Sequence, residues 1–380
     1  MTVDLATLPP MDFAARVRRL RHTLMAEAEC EALLVTNLIN VRYLTGFTGS
    51  AARLLVLPDE VLFVTDGRYQ DQSAEELAAA GVEARIEIGR TAAAQKETIA
   101  TAGKGLARLA LEADNVTWAQ QRTFAEEWFE GAELVPTEGL IANLRMVKDD
   151  GEGARIAAAC AIADAALANV GHRLFERPTE SEFALELEVE MRRLGGEGPS
   201  FETIVGSGPN GAKPHATAGP RRIDEGDLVV LDFGSIVDGY HSDMTRTFMV
   251  GEPSATQQRM MEVVAEAQAA GVAAVRDGAG CVEVDAAGRD IIDAAGWAEE
   301  FLHSTGHGVG LYIHEDPRIS YSADADATLA AGYVVTIEPG VYLPEHGGVR
   351  IEDTVVVTSH GCRVLTNAPK DPAWPSRPTT

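Results

Sequence analysis

Cysteine is scarce and scattered in this chain: the four, Cys30, Cys160, Cys281 and Cys362, form no CxxC pair, which excludes a zinc knuckle or a disulfide framework. Buried reduced thiols are the expectation. Basic residues are also short, 32 against 58 acids, and the resulting net charge of −26 disfavours contact with phosphate backbones. No nucleic-acid partner is expected. The first ten residues, MTVDLATLPP, lack the basic and apolar regions of a secretory leader, and no uninterrupted run of about 18 apolar residues occurs. These absences predict a soluble, cytoplasmic protein with no membrane partner. Low-complexity linkers and charge blocks are missing too, so a disordered arm is expected only after Pro369.

What is present is enough apolar sequence, 46% of 380 residues, for two domains with separate cores. Residues 1–150 alternate helix and strand. Helical spacing covers Phe13–Glu29, Arg68–Ala80 and Trp118–Phe129, and strands are read at Ala32–Val35, Leu54–Leu57, Val61–Thr65, Val82–Ile88, Leu109–Glu112 and Glu133–Pro136. This predicts an α/β domain ending in the charged, Gly-containing stretch TEGLIANLRMVKDDGE. Residues 151–380 repeat an order: helices near 154–175 and 179–195, strands near 201–205 and 228–250, helices near 254–276 and 282–295, strands near 333–338 and 349–357. Two helices followed by strands, twice over, predict a pseudo-duplicated α+β domain.

Within it, LVVLDFGSIVDGYHSDMTRTFMV (Leu228–Val250) places two aspartates where an apolar strand would bury them. Asp238-Gly239 signals a two-residue hairpin turn, so Val237 pairs with Tyr240, Gly234 faces Asp243 and Asp232 faces Thr245. Asp232 and Asp243 become diagonal neighbours roughly 7–8 Å apart at Cα, with only a glycine hydrogen opposite Asp243. Two carboxylates in such a place repel unless one is protonated or a cation lies between them. Three more candidate ligands follow: His307 among the glycines of STGHGVG, Glu338 at the end of VVTIEPG, and Glu352 in GGVRIEDTVVV, read as lying inside a strand. Pro344–Gly348 makes the turn between the last two. Four acids, one imidazole and no thiolate suit Mn²⁺ or another hard to borderline divalent ion, and such a set can hold two ions that share a hydroxide. Taken singly, each residue has a structural alternative as a hydrogen-bonded buried acid or a satisfied core histidine.

The sequence resembles the creatinase/prolidase/aminopeptidase P group of metallopeptidases. The resemblance runs through PHA (Pro214–Ala216), LDFG, SDMTRT, GHGVGLYIHE, TIEPGVY and GVRIEDT, and through NVRYLTGFTGS and TDGRYQDQ in the first domain. It implies a C-terminal pita-bread domain behind a smaller creatinase-like α/β domain. It also implies a two-metal centre on Asp232, Asp243, His307, Glu338 and Glu352, with Asp243 and Glu352 bridging, Mn²⁺ foremost and Co²⁺ or Zn²⁺ as alternatives. By the same resemblance His215 and His314 stabilise or protonate the intermediate, His303 lines the substrate pocket, and Glu338 doubles as base. Arg350 is expected to hydrogen-bond behind the ligands. The chain departs from the family at TAGPRRI after PHA, which bears on the substrate-side loop.

The activity implied is release of the N-terminal residue from Xaa-Pro-Yaa peptides by a metal-bridging hydroxide. Its alternative is an Xaa-Pro dipeptidase, in which Arg318 would grip the dipeptide carboxylate. A non-catalytic binding protein on this fold is disfavoured because all five ligands are present. Family members commonly assemble, so a homodimer or larger homo-oligomer acting on proline-containing peptides is expected.

Overall fold

The computed structural model describes residues 3–371, and the chain divides into two compact units, Met11–Arg145 and Met146–Thr380 with Met1–Pro10. The divide read near 150 from sequence therefore lies a few residues earlier, and the first residues join the second unit. Local bonds give the reason. Lys148 donates its N–H to Gly332 O (3.0 Å) and its Nζ to Glu315 (3.2 Å), and Pro9 O accepts from Arg155 (3.0 Å).

In the unit Met11–Arg145, strands β1 (Ala32–Val35), β2 (Ala52–Val56), β3 (Val61–Thr65), β4 (Arg85–Ile88), β5 (Arg108–Glu112) and β6 (Glu133–Thr137) form one sheet in the order β4-β3-β2-β1-β5-β6. The pairs β1–β2 and β2–β3 are antiparallel and the others parallel. Every residue of β1 and β3 is buried, as in strands covered on both faces. Helices α1 (Phe13–Thr23), α2 (Leu38–Thr45), α3 (Gln70–Ala79), α4 (Ala92–Ala102), α5 (Trp118–Thr123) and α6 (Leu140–Met146) complete it. The strand expected over Val82–Ile88 starts only at Arg85, and α2 and α4 were not anticipated. Their caps are legible in retrospect: Asn37 caps α2 and Gly46 ends it at φ 75°, and Thr91 caps α4.

In the second unit, α7 (Asp150–Val170), α8 (Glu180–Arg193), α9 (Ala255–Ala274) and α10 (Cys281–Ala294) carry the expected pairing of helices. Capping boxes at Asp149/Glu152, Thr179/Glu182 and Ser254/Gln257 fix where the first three begin. The stretch Asp150–Glu176 is long and apolar enough by composition to cross a bilayer, yet half of that window is buried, with Ile162, Ala166 and Leu167 packed among Phe183, Leu187 and Leu231. That is the pattern of a core helix.

The first half-sheet runs β11-β8-β7, built from β7 (Ile204–Ser207), β8 (Leu228–Phe233) and β11 (Met244–Met249), with β9 (Ile236–Val237) and β10 (Tyr240–His241) forming the hairpin tip. The second runs β13-β12-β14-β17-β18, from β12 (Gly306–Gly308), β13 (Glu315–Ile319), β14 (Val334–Ile337), β17 (Asp353–Thr358) and β18 (Gly361–Val364), while β15 (Gly340–Leu343) pairs with β16 (Gly347–Arg350). Helices α7 and α8 pack on the first sheet, and Cys281 and Val284 of α10 pack against Val335, Ile337 and Val355 of the second. The duplication expected from the element order is present.

One expectation is corrected. The strand read over 349–357 is two strands in two sheets, and Glu352 lies in the break between them, not inside a strand. Its N–H leaves the ladder to reach Thr245 O at 3.1 Å. The same thing happens at Glu338, whose N–H reaches Thr305 O at 2.7 Å before Pro339, which has no N–H to continue pairing.

Behind these breaks Arg246, 1% exposed, donates to Ala368 O (2.9 Å), Thr245 O (2.9 Å), Glu352 O (2.5 Å) and Asp353 Oδ1 (3.0 Å). Burial alone would raise the Asp353 pKa, but Arg246 and Lys370 outweigh it and hold the group below the usual carboxylate value. Lys370 also donates to Gln268 (2.9 Å), so it is tied down although it follows Pro369; residues 372–380 of the expected arm lie outside the described residues. Arg246→Met strips a buried ion pair of one partner and is expected to destabilise by about 3–5 kcal/mol. Urea unfolding of this variant against the parent measures it, and a loss under about 1 kcal/mol would contradict the role given to Arg246.

Candidate metal centre

The hairpin sets the first two acids. Asp238 and Gly239 have φ of 48° and 74°, the positive pair of a type I′ turn. Val237 pairs with Tyr240, and the same register continues to Asp232 opposite Thr245. Between them the ladder opens at Gly234 and Asp243. A Cβ on Gly234 would lie 1.9 Å from Ser242 O, so only glycine lets the two strands approach here. Asp243 is thereby released from strand pairing with its side chain 6% exposed.

The other acids come from the two sheet breaks, and His307 from β12. All five, Asp232, Asp243, His307, Glu338 and Glu352, line one cavity of about 280 Å³, and so do His215, His303, His314, Arg318 and Arg350. Every site residue anticipated from the sequence is brought to this cavity. Phe201, Ile204 and Ser304, which sequence reasoning missed, complete its wall.

The electrostatics leave a place for positive charge. Burial, then Glu352 and Asp232, push the Asp243 pKa up; burial, then Glu338 and Asp232, push Glu352 up; burial raises Glu338 to about 8 against the opposing charge of Arg350. His307 is drawn down to about 3, chiefly by burial, so it is neutral. Its Nδ1 lies 3.0 Å from Gly308 O, an acceptor, so Nδ1 carries the hydrogen and Nε2 presents a lone pair. That lone pair faces Asp243 and Glu338 oxygens, each at 3.5 Å, with no proton to share. Ligand atoms of Asp243, His307 and Glu352 lie within 4.8 Å of one another, close enough for all three to reach one divalent ion. Asp232 Oδ1 and Glu352 Oε1 are buried without a hydrogen-bond partner among the described residues. Orphaned acceptors of this kind call for a cation. The residues present fit a hard to borderline divalent ion.

Around the acids lies a network that holds them. Thr245 Oγ1 donates to Glu352 Oε2 (2.7 Å) and accepts from Arg350 Nε (3.0 Å). Arg350 also donates to Asp232 Oδ2 (2.5 Å), Tyr342 OH (2.7 Å) and Pro214 O (3.2 Å). His303 Nδ1 lies 2.8 Å from Ser304 O and so donates to it, leaving Nε2 to accept from Tyr342 OH at 2.8 Å. Burial and the charge of Arg350 lower His303 to about 4. Tyr342, which burial raises to about 12, was not anticipated. The signal was available: the Pro344–Gly348 turn pairs Gly340 with Arg350 and Tyr342 with Gly348, which makes Tyr342 a diagonal neighbour of Arg350.

His314 sits against His307 with ring centroids 4.4 Å apart, and partial burial and Arg318 lower its pKa. Arg318 lines the cavity, is exposed, and forms no ion pair among the described residues.

These shifts give the metal-free protein a characteristic pH dependence. Acids whose folded pKa is raised favour the folded state below their unfolded pKa, and that contribution is lost as pH rises through the folded value. For Glu338 the interval runs from 4.5 to about 8, and Asp243 and Glu352 act in the same direction. The lowered histidines act oppositely, but only below 6.5, where unfolded imidazoles begin to protonate. The Tm of chelator-treated protein is therefore expected to fall from pH 6.5 to 8, and added Mn²⁺ to remove the slope. A flat or rising Tm in chelator would contradict this account.

Comparison with known proteins agrees with the geometry. Residues 154–359 match metallopeptidase family M24, and residues 16–147 match the Creatinase/Prolidase N-terminal domain. A solved structure of an Xaa-Pro dipeptidase from Bacillus anthracis superposes with a TM-score of 0.88 at 40% identity, covering 94% of this chain and 99% of that one. An Xaa-Pro dipeptidase of Pyrococcus furiosus is 43% identical over 63% of this chain and 68% of its own. An X-Pro aminopeptidase structure from Thermotoga maritima MSB8 reaches a TM-score of 0.84 at 32% identity, covering 94% and 99%. With most of its length accounted for by these two matches and its acids gathered as described, the chain belongs to metallopeptidase family M24, a pita-bread domain preceded by a creatinase-type N-terminal domain.

Proposed function

We propose that this protein is a dinuclear metallopeptidase that hydrolyses the bond between an N-terminal residue and proline, with Xaa-Pro dipeptides as its preferred substrates. The convergence of Asp232, Asp243, His307, Glu338 and Glu352 on one cavity carries the peptidase reading, and these five side chains would hold the metal. Two bound divalent ions would polarise the scissile carbonyl and lower the pKa of water. The chain's own residues do the rest. Glu338 takes the proton from the attacking water. His215 and His314 donate ring N–H groups to the developing oxyanion and pass a proton to the proline nitrogen, which leaves as a basic secondary amine. Arg350 holds the free rotation of Asp232 in check, and through Tyr342 it fixes the lone pair of His303 toward the phenol.

Substrate length is the finer choice. The first-domain motifs favour Xaa-Pro-Yaa peptides. Arg318 favours dipeptides: it is a cavity-lining guanidinium with no ion pair among the described residues, suited to a terminal carboxylate. The cavity, about 280 Å³, is also at the small end of the usual 300–1,000 Å³ for ligand sites. The names of the B. anthracis and P. furiosus relatives support the same choice, and the T. maritima structure supports the aminopeptidase as second reading. Cytoplasmic residence and a homodimer or larger homo-oligomer belong to the same proposal, which rests on family resemblance there; sedimentation velocity tests the second.

Chelation should abolish cleavage, and Mn²⁺ should restore it better than Zn²⁺ because the donor set is oxygen-rich. Full turnover by metal-stripped protein would sink the reading. Matched Ala-Pro and Ala-Pro-Ala substrates decide length. The dipeptide is expected to be cut faster, and Arg318→Ala to raise its KM by roughly tenfold or more, as loss of a charge-assisted pair predicts, while sparing the tripeptide. Faster tripeptide cleavage that is indifferent to Arg318 would replace the dipeptidase with the aminopeptidase.

A further inference from the structure

Glu180 is fully buried, at 0% exposure, and is not part of the cavity wall. It is the first residue of α8, but the capping box there uses Thr179 and Glu182, so the helix start is satisfied without it. Its carboxylate instead serves the loop after β7. Oε1 accepts from Ser207 N (2.9 Å), Ser207 Oγ (2.6 Å) and Asn210 Nδ2 (3.1 Å), and Oε2 accepts from the same amide (3.1 Å) and from Gly219 N (3.2 Å). Ser207 ends β7 just before the loop, and Gly219 lies on its returning arm towards β8. Main-chain bonds from Glu180 N to Arg221 O (2.9 Å) and from Ser181 N to Gly219 O (3.0 Å) seat the returning arm on the same helix end. Midway, Pro214 O accepts from Arg350, and the next residue, His215, lines the cavity.

We propose that Glu180 is a positioning residue for His215: one buried carboxylate ties together the two arms of the loop that flank His215 and so sets where that imidazole stands. The inference rests on the reading that His215 meets the scissile peptide. The acceptor-only character of a carboxylate is what the site requires, since every group pointing at Glu180 is an N–H or O–H donor. A glutamine of the same shape would turn an NH₂ toward one arm and leave donors there unanswered.

A double-mutant cycle separates this from a general loss of stability. Mn²⁺-loaded wild type, E180Q, H215A and E180Q/H215A are assayed on Ala-Pro, and amide hydrogen exchange is followed in the same proteins. If Glu180 acts through His215, E180Q lowers kcat/KM by roughly tenfold to a hundredfold when His215 is present and by little in H215A. E180D, which keeps the acceptors, recovers part of the loss. Equal losses in both backgrounds would overturn the proposal. Exchange decides independently of activity: residues 208–219 should exchange faster in E180Q while β8 and β11 keep their protection. Unchanged exchange in the loop would overturn it too. A wild type that cleaves no Xaa-Pro peptide would refute the proposed function and leave the exchange result to judge the clamp. Should E180Q not fold, N210A removes one donor from the same clamp and takes its place in both measurements.

Discussion

Like charge confined in a poorly screened space is the constraint on which the second unit turns. Asp243 and Glu352 lie within 4.8 Å of each other at their ligand atoms, and both are almost fully buried. At an effective dielectric near 20, two unit charges at about 4 Å repel by about 4 kcal/mol. No fold of ordinary stability carries several such repulsions unanswered. Part of the answer is in the protein: Arg350 against Asp232, and hydroxyl donors from Thr245 to Glu352 and from Thr336 to Glu338. Asp232 Oδ1 and Glu352 Oε1 are buried with no hydrogen-bond partner among the described residues, which suits a cation between them. Burial keeps His307 neutral, so the imidazole adds no charge of its own and offers a lone pair.

A regular sheet cannot present such a group, because a strand residue is committed to a face and its backbone to a ladder. Three of the four acids sit where a strand leaves its ladder. Asp243 follows the gap opposite Gly234, Glu338 precedes Pro339, and Glu352 lies where the chain passes from the β15–β16 pair into the larger sheet. At each break the backbone still needs partners, and it finds them across the duplication or within it: Glu352 N on Thr245 O, Glu338 N on Thr305 O, and Asp243 O accepting from Thr354 Oγ1 at 2.7 Å. Those bonds stitch the two halves together around the cluster of buried acids. Arg246, spanning Thr245 O, Glu352 O and Asp353, closes the stitch from behind.

Much of this was legible in the residues, because turn chemistry fixes register. Asp238-Gly239 dictated a type I′ turn, and the turn dictated that Asp232 and Asp243 are diagonal across a glycine. The break at Glu352 was not legible, since IEDTVVV reads as one β-branched run and nothing in it marks a change of sheet. Strands β12 and β13 were missed because GHG and EDPRI carry glycine, charge and proline where strand propensity would be sought. In the first unit α2 was hidden by LINVRYLT, whose apolar residues suit either period, and only its caps spoke for a helix. The clamp by Glu180 could not be read at all: it joins a helix start to a loop 27 and more residues away, a pairing that no local pattern encodes.

Arg350 is where the acids and the histidines become one system. Its guanidinium reaches the Asp232 carboxylate, a threonine that itself donates to Glu352, a tyrosine hydrogen-bonded to His303, and the carbonyl beside His215. A lysine carries its three donors on one atom, whereas the fork of an arginine offers separate nitrogens to separate partners. The side chain is 3% exposed, so each unmet contact would carry the full desolvation cost of a buried polar group. The placement of the buried acids and the hydrogen bonding of the neighbouring histidines therefore meet at the same residue.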